Sequence, residues 1–142
     1  MKNAIITGAG GDIGACITEL AVSLGYRVAA IDVQPDSVNE LADRLDNVIP
    51  VIADITDPKS VRNAFDALGA VPDLLVNNAG LVRFGPLEDL AVQDFQDVVN
   101  VNLVGSFIVA KEAAARMKTV GSGAIINITS MGGIHPAPGS GA

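Results

Sequence analysis

Residues 2–14 read KNAIITGAGGDIG, a short apolar segment followed by a glycine-rich turn. The apolar part predicts a β-strand over residues 2–7, and a helical pattern opens with Ala15 and Cys16. Glycine lets the backbone turn sharply without placing a Cβ against a ligand, and the N–H groups that open a helix attract anions. The stretch therefore predicts a phosphate-binding turn. A tight turn without a ligand is the alternative, because Ile13 breaks the strict G-x-G-x-x-G spacing.

Length and composition limit the class of protein. The chain has 142 residues, 49% of them hydrophobic, and a net charge of −7. Such a length suits one domain, and a parallel sheet covered on both faces explains the apolar content. No apolar run approaches the roughly eighteen residues of a membrane helix, and no signal-peptide pattern precedes the first strand. We therefore expect a cytoplasmic protein with neither a membrane nor a nucleic acid as partner.

The single cysteine, Cys16, cannot form an internal disulfide. Its place in a predicted helix favours packing in the core over chemistry. No cluster of histidine, cysteine and acidic residues has the spacing of metal ligands in the sequence, so we expect no metal site.

Strand and helix patterns alternate along the rest of the chain. Four more strands are predicted, over residues 27–31, 48–53, 73–76 and 123–128. The helices predicted between them run through Ile13, Ile17, Leu20 and Leu24, from a cap at Ser37, from Asp57-Pro58, and over about 93–118. Repeated β-α-β units imply a parallel sheet with right-handed crossovers, and therefore a doubly wound α/β fold.

Small or polar residues follow every predicted strand. They are residues 8–14, Asp32, Asp54, residues 77–80 and Ser130. Open α/β sheets bind ligands along the carboxyl ends of their strands, where the strand order reverses. Turns alone also favour Asp, Asn, Ser and Gly at strand ends, so a purely structural role is the alternative. The pattern predicts a ligand site along this edge.

Asp32 indicates which cofactor the site prefers. It lies eighteen residues after Gly14, close to the spacing of about twenty expected for an acid that hydrogen-bonds a ribose 2′-hydroxyl. A carboxylate at this point repels a 2′-phosphate. The sequence therefore predicts NAD rather than NADP.

Five motifs together resemble those of the short-chain dehydrogenase/reductase family. Residues 7–14 resemble its T-G-x-x-x-G-x-G turn, and residues 54–57 resemble its D-V-T-D segment. Residues 77–80 match its N-N-A-G signature, residues 100–103 resemble the helix with its active-site asparagine, and residues 127–130 resemble its N-I-S-S segment. The motifs follow the family's order along the whole chain.

The resemblance implies a single Rossmann-like NAD-binding domain over residues 1–142, and hydride transfer between NAD and a secondary alcohol or ketone. It implies that Ser130 hydrogen-bonds the substrate oxygen and that Asn102 holds a water in a proton relay, which makes these two the catalytic residues. It also implies a homo-oligomer that associates through the long helix. The cofactor-binding residues that it implies are Gly8, Gly11, Asp12, Ile13, Gly14, Asp32, Asp54, Ile55, Asn78, Ala79, Gly80 and Val101.

Two features depart from the family's pattern. Asp12 replaces the second glycine of the turn motif, and we interpret it as a helix N-cap whose carboxylate faces solvent. The alternative is a charge beside the pyrophosphate that weakens binding. The family's Tyr-x-x-x-Lys pair has no counterpart, because Tyr26 is the only tyrosine and opens the second strand. We therefore expect a fold truncated after the fifth strand, and no turnover by the 142-residue chain.

Three functions stay open from the sequence. They are an NAD-dependent oxidoreductase, a noncatalytic NAD-binding fragment, and a structural subunit that associates through the long helix. Cofactor titration separates the third from the first two, and an activity screen separates the first from the second. His135, the only histidine, is interpreted as a solvated loop residue rather than a substrate contact.

Overall fold

The computed structural model describes residues 1–135 and 139 and contains one five-stranded parallel sheet. The strands are β1 (Lys2–Thr7), β2 (Tyr26–Asp32), β3 (Val48–Ile52), β4 (Leu74–Asn77) and β5 (Ala124–Asn127). Their order across the sheet is β3-β2-β1-β4-β5, so the direction of winding reverses between β1 and β4. The predicted doubly wound α/β fold is confirmed, and every predicted strand end lies within one residue of the observed end.

Helices cover both faces of the sheet. They are α1 (Asp12–Ser23), α2 (Pro35–Arg44), α3 (Pro58–Leu68), α4 (Val92–Val99) and α5 (Ser106–Val120). On one face, α1 and α2 contribute Ala21 and Val38 to the core; on the other, α3 and α5 contribute Phe65 and Val109. The central strands are buried on both sides, which is why their sequences read as continuous apolar runs.

The buried face of α1 consists of small residues. Gly14, Thr18 and Ala21 are buried, whereas Ile13 is 62% exposed. The prediction that Cys16 packs in the core is wrong, because this residue lies on the exposed side of the helix. The apolar spacing identifies the helix but not its buried face, because only small side chains fit where α1 meets the glycine turn.

The starts of α3 and α2 differ in how well the sequence predicts them. The predicted helix start at Asp57-Pro58 is confirmed, and Asp57 is the N-cap of α3, because its carboxylate accepts hydrogen bonds from the backbone N–H groups two and three residues ahead, at 2.9 and 3.2 Å. The prediction that Ser37 caps α2 is wrong. That helix begins at Pro35, and Ser37 lies in its first turn, where Oγ donates to the Gln34 carbonyl at 3.0 Å. Proline suits a first helical position because its fixed φ is helical and it needs no N–H partner.

One helical segment runs from Val92 to Val120 and contains a π-helical turn at Asn100–Gly105 between α4 and α5. The sequence predicts the long helix but not the π-helical turn. A Cβ on Gly105 would lie 2.7 Å from Ile55 Cδ1, so the helix packs closely against the segment after β3 at this point. By length and composition alone, this segment is long and apolar enough to cross a membrane. That is weak evidence for a membrane span, because core helices pass the same test.

Arg116 connects α5 to α3. Its guanidinium donates to Glu112 at 2.8 Å and to Asp66 at 2.7 Å, and it lies 5.3 Å from the centre of the Phe65 ring. Burial lowers the pKa of Arg116, but the hydrogen bonds to the two carboxylates outweigh burial and raise this pKa above its ordinary value. Arg116 is therefore charged and links the two helices above their apolar contact.

Candidate functional site

The glycine turn after β1 is shaped by close approaches of backbone to backbone. Gly8 has a φ of +64°, and a Cβ there would lie 2.7 Å from Ala79 Cα. A Cβ on Gly14 would overlap the Gly8 carbonyl oxygen and lie 2.8 Å from Ala9 Cα. Gly11 differs, because its Cβ would meet nothing nearer than 3.6 Å. Gly8 and Gly14 are therefore required by the shape of the turn, since backbone atoms cannot rotate away as side chains do.

The N–H groups of this turn fall into two sets. Three are used within the protein: Ala9 N–H donates to Ile31 O at 3.0 Å, Gly10 N–H to Asp32 Oδ2 at 2.9 Å, and Gly11 N–H to Gly8 O at 3.2 Å. The N–H groups of the next three residues open α1 and have no intrahelical partner. They lie at the positive end of the helix dipole, where an anion is stabilised. The donors that the turn offers to a pyrophosphate are therefore those of Asp12, Ile13 and Gly14.

Thr7 and Asn78 fasten the turn to the loop after β4. Thr7 Oγ1 accepts hydrogen bonds from the backbone N–H groups of Asn78 and Ala79, both at 3.1 Å. Asn78 Nδ2 in turn donates to the carbonyls of Thr7 and Gly8, both at 3.1 Å. Thr7 is only 1% exposed, which shields these bonds from water. Four hydrogen bonds thus connect the glycine turn to the loop after β4, at the point between β1 and β4 where the direction of winding reverses.

Asp32 ends β2 beside the glycine turn and is half-buried. Its carboxylate oxygens each accept one backbone hydrogen bond, Oδ2 from Gly10 at 2.9 Å and Oδ1 from Gln34 at 3.0 Å. An ionised carboxylate has about four lone-pair sites. Each oxygen therefore retains the capacity to accept a further hydrogen bond from a ribose hydroxyl.

Asp54 follows β3 and is also held by its neighbours. Its Oδ1 accepts from the N–H and the hydroxyl of Thr56, at 2.8 and 2.7 Å, and its own N–H donates to Ser60 Oγ at 3.0 Å. Across residues 1–135 and 139, no group donates to the other carboxylate oxygen. That oxygen is free to accept from a ligand.

Two adjoining cavities open along the carboxyl edge of the sheet, and both are lined by Gly8, Asp32, Ala79 and Gly80. The first has a volume of about 210 Å³ and is also lined by Ile31, Val33, Ala53, Asp54, Ile55, Leu81 and Val101. The second has a volume of about 370 Å³ and is also lined by Gly11, Asp12, Ile13, Gly14 and Asn78.

These cavities bring together all twelve residues predicted to bind the cofactor. Their binding role stays a prediction. The sequence analysis missed four residues of the lining, Ile31, Val33, Ala53 and Leu81. Each is the direct sequence neighbour of a predicted residue, so including the neighbours of Asp32, Asp54 and Gly80 would have found them.

Asp12 lines the second cavity but does not cap α1. The N-cap is Gly11, and no side chain forms a cap hydrogen bond there, so the interpretation of Asp12 as the N-cap is wrong. Asp12 is the first residue of the helix and is exposed. A carboxylate is stabilised in this position by the helix dipole, but it then competes with a bound anion for the same positive end.

Asn102 lies in the π-helical turn, against the segment that follows β4. Its Oδ1 accepts from Leu81 N–H at 2.7 Å, and its Nδ2 donates to the Leu81 carbonyl at 2.8 Å. Asn77 holds the adjoining start of α5, because its Nδ2 donates to the Ser106 carbonyl at 3.2 Å and to Asn127 Oδ1 at 3.0 Å. Asn102 therefore fixes one residue of the first cavity's lining without being part of that lining itself.

Ser130 follows β5 at the same edge of the sheet. Its Oγ accepts from Gly132 N–H at 3.1 Å, at the start of a 3₁₀ turn over Met131–Gly133. Like Asn102, Ser130 is not part of the lining of either cavity. Tyr26 lies at the opposite edge, where β2 begins, and His135 is exposed.

Comparison with known proteins shows similarity over nearly the whole chain. The sequence profile of the short chain dehydrogenase family matches residues 2–142. The D-threitol dehydrogenase of Mycolicibacterium smegmatis is 36% identical over 136 residues, which covers 91% of this chain and 52% of that protein. The 3-oxoacyl-[acyl-carrier-protein] reductase FabG of Thermotoga maritima is 32% identical over 146 residues, which covers 97% of this chain and 59% of that protein.

A solved structure shows the same arrangement of strands and helices. The crystal structure of an NAD+-bound xylitol dehydrogenase matches with a TM-score of 0.89 and 28% sequence identity, over 98% of this chain and 56% of that one. The chain thus spans about half the length of the curated relatives that it matches. Since the family profile extends over residues 2–142 and a solved dehydrogenase has the same fold, this chain belongs to the short-chain dehydrogenase family.

Proposed function

We propose that this chain forms the NAD-binding part of an oxidoreductase that acts on a secondary alcohol or ketone in the cytoplasm. The observation that carries the proposal is the Asp32 carboxylate, which lies beside the turn whose free N–H groups open α1. Support comes from the family match and from a structural relative that was solved with NAD+ bound.

The residues of the two cavities fit a dinucleotide. The N–H groups of residues 12–14 suit its diphosphate, and Asp32 suits a ribose with free hydroxyls. The first cavity offers Ile55 and Val101 as apolar walls and Asp54 as an acceptor, which suits an adenine ring. When bound, NAD supplies the hydride acceptor for the carbinol carbon, and the protein supplies position and electrostatics.

Ser130 and Asn102 are the residues of this chain that we assign to the substrate. The Ser130 hydroxyl donates to the substrate oxygen and stabilises the negative charge that develops there. Asn102 holds a relay water and, through its two hydrogen bonds to Leu81, fixes the wall of the adjoining cavity. Calorimetric titration with NAD tests the cofactor part of the proposal, and the absence of binding at millimolar NAD would contradict it.

A change at Asp32 tests the choice between NAD and NADP. The unchanged protein is expected to bind NAD more tightly than NADP, because the carboxylate accepts from the ribose and repels a 2′-phosphate. Asp32→Ala is expected to weaken NAD binding by about 1.5–3 kcal/mol, the range for a hydrogen bond to a charged group. The same change is expected to narrow the difference between the affinities for NAD and NADP. Calorimetry measures both affinities, and tighter NADP binding by the unchanged protein would refute the assignment.

A change at Asp12 tests the effect of its charge on the diphosphate. Asp12→Gly is expected to increase the affinity for NAD slightly and to make NAD binding less dependent on salt. The reason is that the Asp12 carboxylate shares the positive end of α1 with the ligand. Salt screens exposed charges beyond about 8 Å at physiological ionic strength. NAD affinity is measured for both proteins at low and high salt. If the two proteins respond to salt identically, Asp12 has no influence on the diphosphate.

A noncatalytic NAD-binding fragment is the second candidate function. It is favoured by the position of Tyr26, the only tyrosine, at the edge of the sheet away from the cavities. In either case we propose that two copies associate through the long helix, where Leu103 and Phe107 are 67% and 64% exposed. Exposed apolar side chains of this size are typical of association surfaces.

A further inference from the structure

We propose that the Asp32 carboxylate is also a positioning group, which holds the glycine turn through Gly10 and thereby orients the diphosphate donors of α1. The inference rests on the proposed function, because it concerns how the same site prepares for a nucleotide. It assigns to Asp32 an effect on the part of the ligand that this residue does not itself contact.

The bond from Gly10 joins the glycine turn to the end of β2, just beyond the last backbone pairing of β1 with β2. The regular pairing ends where Thr7 faces Ile31, and Ala9 N–H then donates to the Ile31 carbonyl at 3.0 Å. The Asp32 carbonyl faces the other side of β2, where it accepts from Ala53 N–H at 3.0 Å. The Asp32 side chain lies on the β1 side and accepts from Gly10 N–H at 2.9 Å.

The same carboxylate joins the turn to the start of α2. Its second oxygen accepts at 3.0 Å from the N–H of Gln34, the N-cap of α2. Gly10 itself lies close to α2 and to Asp32. A Cβ on Gly10 would overlap Ser37 Oγ and lie 2.8 Å from Ser37 Cβ and 3.1 Å from Asp32 Oδ2. Gly10 therefore needs to be glycine for its N–H to reach the carboxylate.

Gly10 lies two residues before the first free donor of the site. Its N–H points to Asp32 and is not available to a ligand, whereas the N–H groups of residues 12–14 are. The direction of those three groups depends on how the turn enters α1. If Asp32 holds the turn, removal of its carboxylate disorders these three N–H groups. Binding then weakens even for a nucleotide that has no ribose hydroxyls.

The first experiment measures amide hydrogen exchange by NMR in the ligand-free protein. Asp32→Ala is expected to speed exchange at Gly10 by roughly tenfold or more, the factor for losing one charge-assisted hydrogen bond. Asp32→Asn is expected to have a smaller effect, because the amide keeps one acceptor oxygen. Asp36→Asn is the matched control. It removes a carboxylate from the first turn of α2, whereas the N–H of Gly10 donates to Asp32. Gly10 exchange is therefore expected to stay unchanged in this variant.

The second experiment compares ADP with dideoxy-ADP, which lacks both ribose hydroxyls. Asp32→Ala is expected to weaken the binding of dideoxy-ADP several-fold. It is expected to weaken the binding of ADP by a larger factor, because the ribose contact is lost as well. If Asp32 acted on the ribose alone, the affinity for dideoxy-ADP would not change. Asp32→Asn, which preserves the size of the side chain, provides the same comparison should the alanine variant fail to fold.

The results separate this inference from the proposed function. Unchanged Gly10 exchange in both Asp32 variants would overturn the inference, as would unchanged affinity for dideoxy-ADP in a variant with faster Gly10 exchange. Failure of the unchanged protein to bind ADP would contradict the proposed function instead. The exchange measurement on the ligand-free protein would then still show whether Asp32 holds the turn.

Discussion

Gly14→Ala is expected to lower the free energy of unfolding by about 3 kcal/mol or more, the upper part of the range for overpacking, and to abolish nucleotide binding. The new Cβ would overlap the Gly8 carbonyl oxygen and lie 2.7 Å from the Gly8 carbonyl carbon. These are backbone atoms of the same turn, so no change of rotamer relieves the contact. The start of α1 has to move away from the turn, which displaces the three free N–H groups.

Gly11→Ala is the matched control for this prediction. It is the same substitution, three residues earlier in the same turn, but its Cβ would meet nothing nearer than 3.6 Å. Its backbone has a φ of −82°, which any residue adopts. Urea denaturation and ADP titration of both variants measure the effect. Equal loss of stability in the two variants would show that the close approach at Gly14 is not what shapes the turn.

The strands and the edge of the sheet that carries the cavities could be predicted because each depends on a local signal. Apolar runs identify strands that are buried on both faces, and the residue after each run identifies the edge. This is how Asp32 and Asp54, which belong to different β-α units, are both placed at one edge before any contact is known. The parallel arrangement then brings them to the lining of the same cavity.

The contacts that the sequence analysis missed depend on distant residues. Nothing near Gly10 in the sequence indicates that Ser37 leaves it no space for a side chain, or that the Asp32 side chain accepts a hydrogen bond from its N–H. The exposed position of Cys16 likewise follows from the close packing of α1 on its turn. Such features arise where separate elements pack together, and the spacing of apolar residues along one helix does not predict them.

The 142-residue chain by itself is expected to show no measurable turnover of any secondary alcohol, even where it binds NAD. Hydride transfer from a carbinol requires that a base take the hydroxyl proton. In the proposed site Ser130 and Asn102 orient the substrate oxygen, but neither side chain accepts a proton at neutral pH. Tyr26 lies at the other edge of the sheet. A positioned acid or base is worth about 10²- to 10⁴-fold in rate, so its absence takes turnover below the background of a standard assay.

A completed chain provides the test of that prediction. Extending the protein after Ala142 with a family-like segment that begins with tyrosine and places lysine four residues later is expected to restore activity. The matched control carries phenylalanine in place of that tyrosine, which preserves the packing of the ring but removes the ionisable hydroxyl, and it is expected to stay inactive. Absorbance of NADH over a panel of secondary alcohols measures all three proteins. Robust turnover by the 142-residue chain would mean that another of its groups takes the proton, and the assignment of the site to Ser130 and Asn102 alone would then be wrong.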